Sequence, residues 1–192
     1  MKKEKRVVPV DEAAEQVRLA MIRVALMHLA FSKTIVEELG EEKGKEIIIK
    51  AIMEYGKRAG ERTKRGDQDL PFYGIHERCV YKDQTYTDTR KIPRSEGWDF
   101  SLYRVYGCIL AKIFREYGEE DLGRLYCYVD GAKSMAADPN HKLIHTSCEP
   151  CGDGCCAFAS IATSEKERSD FVNRNTDWKH VDPILVKGRK KE

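Results

Sequence analysis

The chain has 192 residues, 41% of them hydrophobic and 34% charged, with a net charge of +2. That is enough apolar material for one domain with a substantial core, and the mixture excludes a disordered chain. Basic residues gather in "KKEKR" at the start and "KGRKKE" at the end; no basic stripe runs between them, so no nucleic-acid partner is expected.

No apolar run is counted that reaches the roughly 18 residues of a membrane span, and no apolar segment with a small-residue cleavage site opens the chain. The expectation is therefore a cytoplasmic protein with no membrane partner. Clustered cysteines in a reducing compartment point to metal ligands or reactive thiols. The Lys/Glu-rich surface suits a thermophile, in which a disulfide staple stays open.

Residues 1–10 and 181–192 read as basic tails. Between them 11–180 forms one domain, helical over 11–66 and mixed over 67–165. Asp11 is the expected cap of a first helix whose row is Val17, Met21, Val24, His28, Phe31 and Ile35, ending at Gly40. Between Leu19 and Phe31 the other faces are also largely apolar, which predicts a central helix. His28 in that row reads as a satisfied core histidine. A second helix is predicted from Glu42 to Arg65, with Gly56 and Gly60 one turn apart for close helix packing.

"GDQDLPFYG" and "KIPRSEGW" are loop-like, and "CVYKDQTYTDT" is strand-like. "FSLYRVYGCILAKIFREYG" begins as strand and ends as helix. Another helix is expected over Glu119–Met135, stopped by "DPN". Two strands follow, "HKLIHTSC" and "CCAFASIAT", joined by the turn "EPCGDG". Helices first and a small sheet later predict an α+β fold, N-terminal helices packed on a small antiparallel sheet.

"HTSCEPCGDGCCAF", His145 to Phe158, holds four of the seven cysteines. Cys127 and Asp130, three apart on a helix, share a face. A hairpin turn between Cys148 and Cys156 sets those sulfurs side by side. If the helix packs over the hairpin, Cys127, His145, Cys148 and Cys156 make an S₃N set, a tetrahedral zinc environment. A rival set starts from the C-x₂-C turn, Cys148 and Cys151, and adds Cys155 or Cys156. An iron–sulfur cluster is a further use of the same thiolates. Were the zinc shell open, Asp130 or Asp153 would serve as general base beside a bound water. Without metal, Cys127 would be a nucleophile activated by His145 and oriented by Asp130.

"GRLYCYVDGAKSMAADPN", "HTSC" and "GDGCCAF", in that order, resemble the L-2-amino-thiazoline-4-carboxylic acid hydrolase family. The likeness extends upstream through "MIRVALMHLAFSKTIVEELGEEKGKEIIIKAIMEYGKRAG" and covers roughly residues 15 to 163. It implies opening of a C–N bond in a small cyclic amidine-like ring by water, giving a carbamoyl amino acid. Cys127, Asp130, His145 and Asp153 are the residues it points to. The C-terminal segment is also similar to 4-vinyl-reductase domains, which are small-molecule-binding modules. That likeness implies a structural zinc on Cys127, His145, Cys148 and Cys156, with His145 where an acid is more usual. Cys151 and Cys155 belong to neither pattern.

The expected partner is a small-molecule substrate or ligand, and self-association is left open. A redox or iron–sulfur protein is the third function class. Elsewhere, His76 and Cys79 are candidates to line a pocket, and Trp98, Tyr103 and Tyr106 read as core or pocket wall. Cys108 reads as a buried small hydrophobe, His141 and His180 as surface groups, and Arg94 and Arg104 as carboxylate-binding candidates.

Overall fold

A computed structural model describes residues 9–65, 104–105 and 107–187. Among them, helices α1 (Val10–Leu39) and α2 (Glu41–Lys64) are followed by β1 (Arg104–Val105), α3 (Ile109–Glu116) and α4 (Glu120–Gly123). A 3₁₀ turn, Arg124–Cys127, leads into α5 (Tyr128–Ala137). The hairpin strands are β2 (His141–Ser147) and β3 (Cys156–Ala162), with a 3₁₀ turn at Glu149–Cys151 between them. Three further helices, α6 (Glu165–Val172), α7 (Trp178–Val181) and α8 (Ile184–Lys187), complete the described chain. The antiparallel sheet has the order β1-β3-β2. The α+β expectation therefore holds.

The first helix begins at Val10 after Pro9, so Asp11 is not its cap. Its buried row is Met21, Ala25, His28, Leu29 and Ser32. Phe31, which the spacing places on that row, is 64% exposed, and Leu26 and Met27 are exposed beside it. The helix is thus one-sided among the described residues rather than central. Arg18–Leu39 is long and apolar enough, by length and composition, to cross a membrane, which corrects the sequence count.

The buried row of α1 packs on Ile109, Leu110, Ile113 and Phe114 of α3. Burying each such side chain contributes roughly 1.5–3 kcal/mol. The broadest helix contact is α2 against α5. Gly56 and Gly60 make it, as their spacing predicts. A Cβ on Gly56 would stand 2.8 Å from both the Ala132 Cβ and the Val129 carbonyl oxygen, and one on Gly60 would stand 2.3 Å from the Lys133 carbonyl oxygen.

The second core cluster joins Ile48 of α2 to Leu125, Tyr128, Ala132 and Met135, to Cys148 and Cys151, and to Val181 and Leu185. The polar tail expected from residue 181 is corrected here. Val181, Asp182 and Leu185 are almost completely buried, because "VDPILV" is an apolar island that α7 and α8 fold onto the hairpin. The helix expected over Glu119–Met135 is interrupted by the 3₁₀ turn and extends to Ala137.

Candidate functional site

The hairpin is built to present its turn. Register pairs His145 with Phe158, their rings 4.6 Å apart, and shifts between His145 and Ser147. That bulge turns Cys148 into the protein. The Asp153 carboxylate accepts from the Cys148 amide at 2.8 Å, and the Cys148 carbonyl accepts from the amides of Cys151 and Asp153. Gly152 closes the turn at φ 102°, a left-handed conformation open to glycine. Asp153 therefore holds the loop's shape and is not set beside His145 by any of these bonds. Buried Glu149 is tied by its carboxylate to the Cys108 amide at 2.8 Å and to Arg115 at 3.0 Å. Its own amide donates to the Cys156 sulfur at 3.2 Å.

Four sulfurs and one imidazole converge. Cys148 is in hydrogen-bond contact with Cys127, Cys151 and Cys156, and its sulfur lies 2.8 Å from that of Cys151. Cys127, at the junction of the 3₁₀ turn and α5, also bonds His145. Contacts therefore run from His145 through Cys127 to Cys148, and from Cys148 to Cys151 and Cys156. Cys155 stays apart, its carbonyl accepting from the Ser147 hydroxyl at 2.6 Å. Among the described residues, no group of three or more His, Cys, Asp or Glu side chains is spaced to hold a metal ion.

The carboxylate that orients His145 is Asp182, not Asp130. His145 Nδ1 lies 2.7 Å from Asp182 Oδ2, and the His145 backbone amide donates to the same oxygen at 3.1 Å. With Nδ1–H committed to Asp182, Nε2 faces Cys127, and Asp130 Oδ2 stands 3.7 Å from it. Asp182 is missed by sequence reasoning because it lies 37 residues from His145, in a segment read as a tail. Its one signal is the flanking apolar residues Val181 and Leu185.

The electrostatics follow from these bonds. Burial opposes a charge on His145, but the bonds to Asp182 and Cys127 outweigh it and hold the imidazole well above its ordinary range. The Cys148 thiol and the His145 ring bring Cys127 down to about 7, against the opposing effect of burial. Contacts with Cys127, Cys151 and Cys156, together with burial, keep Cys148 protonated, so it is the donor toward Cys127. The Cys108 thiol is pushed up by burial and by Cys156 nearby.

The Asp130 side chain is 36% accessible, yet desolvation is the main cause that raises its carboxyl. Tyr126, hydrogen-bonded to Tyr55 of α2 and near enough to Asp130 to feel its charge, is raised by burial first.

The surface readings of His141 and His180 hold: they are exposed, on Asp138 and Asp177. His28 is buried, with Nε2 2.9 Å from the Leu122 carbonyl. His76, Cys79, Arg94, Trp98, Tyr103, Tyr106, the side chain of Arg104 and the strand-like "CVYKDQTYTDT" lie outside the described residues.

The sequence profile described as L-2-amino-thiazoline-4-carboxylic acid hydrolase matches residues 19–159. No curated protein and no solved structure matches the chain. The matched span includes Cys127, Asp130, His145, Cys148 and Cys156 but stops short of Asp182.

Proposed function

The chain belongs to the L-2-amino-thiazoline-4-carboxylic acid hydrolase family, and from that premise we propose that Cys127, His145 and Asp182 open a C–N bond of a small cyclic amidine-like substrate. The Cys127 thiolate adds to the amidine carbon, and the C=N electron pair moves to nitrogen. The His145 imidazolium gives its Nε2 proton to the ring nitrogen; the exocyclic amino group then forms a C=N bond and passes a proton to the ring nitrogen, which leaves as an amine as the ring C–N bond breaks. Water then adds to the thio-linked carbon while neutral His145 takes its proton, and Cys127 leaves as thiolate. One water is consumed and a C–N bond is exchanged for a C–O bond. Asp182 keeps the imidazole in one tautomer and supports its charge. Asp130, whose carboxylate stands 3.7 Å from His145 Nε2, would accept N–H bonds from the amidine.

The single observation behind this reading is the 2.7 Å bond from His145 Nδ1 to Asp182, which aims Nε2 at Cys127. The test incubates the whole chain with L-2-amino-thiazoline-4-carboxylate and looks for a product one water heavier. Turnover lost in Cys127→Ser and in Asp182→Asn, with both variants folded, is the expected result. Full turnover in Cys127→Ser would remove the thiolate step.

A second reading has its own observation, the contact of Cys148 with three other sulfurs. Three thiolates and an imidazole suit zinc chemically, and zinc-bound histidines commonly give their other N–H to a carboxylate. Cys127, His145, Cys148 and Cys156 would hold the ion. A closed shell of this kind supplies a clamp between α5 and the hairpin, and the chain would then be a small-molecule-binding module. One zinc per chain together with an unreactive Cys127 is the outcome that favours it; iron content would favour the iron–sulfur alternative instead.

A further inference from the structure

The Cys148 and Cys151 sulfurs stand 2.8 Å apart, nearer to the disulfide distance of about 2.05 Å than a thiol pair needs to be. Both belong to the turn Cys-Glu-Pro-Cys, which Asp153 and Gly152 hold in shape. Cys148 also touches Cys127. The sulfurs thus form a row, Cys127 to Cys148 to Cys151, within one buried cluster. Cys148 and Cys151 are buried, with Cys151 closed off by the Ile184 carbonyl at 3.8 Å.

We infer that this row is a thiol relay: peroxide oxidation of Cys127 is passed along it and stored as a Cys148–Cys151 disulfide. This rests on the free-thiol reading of the site. The Cys127 thiolate attacks hydrogen peroxide and becomes the sulfenic acid, and the second oxygen leaves as water after protonation. Cys148 attacks that sulfur, forming a Cys127–Cys148 disulfide and releasing the sulfenic oxygen as water. Cys151 attacks the Cys148 sulfur, and Cys127 leaves as thiolate. In sum, two thiols and one peroxide give one disulfide and two waters. Cys127 is returned reduced, protected from the irreversible sulfinic state. It is also slowed, because the Cys148 S–H that faced it has been consumed.

The experiment needs no substrate, so its outcome is separate from that of the turnover assay. The whole reduced chain is treated with one equivalent of hydrogen peroxide, and thiols are counted in denaturant before and after. Two fewer thiols are expected, with tandem mass spectrometry placing the new bond between Cys148 and Cys151. Cys127 should alkylate several-fold more slowly at pH 7, and dithiothreitol should restore the rate. Cys151→Ser should stop one step earlier, linking the tryptic peptides that carry Cys127 and Cys148. Sulfinic Cys127 with no internal disulfide in the wild type would overturn the relay, as would a Cys151→Ser protein that ends in the wild-type product. A protein purified with one zinc per chain and thiols inert to peroxide would overturn it too, leaving the hydrolase question to the turnover assay.

Discussion

Two buried histidines among the described residues end in opposite states. His28, in the seam of α1 and α3, bonds the neutral Leu122 carbonyl, and burial holds its pKa down. His145, in the hairpin, bonds the Asp182 carboxylate and the Cys127 sulfur, and its pKa is held up although it is at least as buried. Burial alone would discharge both rings. The partner's charge decides, and it leaves one histidine a neutral packing element and the other a ring held charged beside Cys127.

The comparison breaks most sharply at Asp182. Asp182→Asn gives His145 a neutral partner like that of His28 and permits the wrong tautomer. Turnover of L-2-amino-thiazoline-4-carboxylate should fall by about 10²- to 10⁴-fold. In the same variant, the pH midpoint of Cys127 alkylation should move up from about 7 toward the ordinary thiol value of about 8.5. An unchanged midpoint would mean that the imidazolium does not support the thiolate.

The next effect tests whether the helical seam positions the site. Alanine at Gly56 gains about 1 kcal/mol in helix propensity, but its Cβ would meet Ala132 and the Val129 carbonyl at 2.8 Å. Overpacking of this kind costs about 1–3 kcal/mol, so Gly56→Ala should be less stable in denaturant melts. Since α5 carries Asp130 and abuts Cys127, its displacement should also slow Cys127 alkylation, which His28 substitutions should not do.

The hairpin half of the site was legible because its chemistry is local. Turn residues fix where Cys148 and Cys156 meet, and the Cys127-x-x-Asp130 spacing survives the change from 3₁₀ turn to helix. The α2–α5 seam was legible from two glycines one turn apart. Asp182 was not, because its role depends on a long-range return of the chain that no period announces. Phe31 was placed on the wrong face because the residues around it are apolar on all sides, so periodicity has nothing to choose between. The capping box Ser164–Glu167 that opens α6 is written in the sequence as S-x-x-E, but no apolar run follows it to mark a helix.

That box gives a smaller prediction. Ser164→Ala should lower stability by about 1 kcal/mol through loss of the α6 cap, measured by thermal melting. It should leave Cys127 reactivity unchanged, because Ser164 bonds its own helix start and Glu167, which pairs with Lys142, six residues before Cys148.

The smallest effect separates the two histidines by pH. His28 is buried with a lowered pKa, so the folded state resists its protonation. The stability it contributes is present in full above the ordinary histidine value of about 6.5 and is lost as pH falls through the lowered folded value. His145 has a raised pKa, so its contribution is full below about 6.5 and is lost as pH rises through the raised folded value. The acid-side loss therefore belongs to His28 and not to His145. His28→Leu should cost about 1 kcal/mol at pH 7.5, because the Leu122 carbonyl loses its donor. It should lose less stability than the wild type between pH 6.5 and the acid limit of folding. If wild type and variant instead lose stability in parallel over that window, His28 is not held neutral by its burial, and the contrast with His145 cannot be one of partner charge.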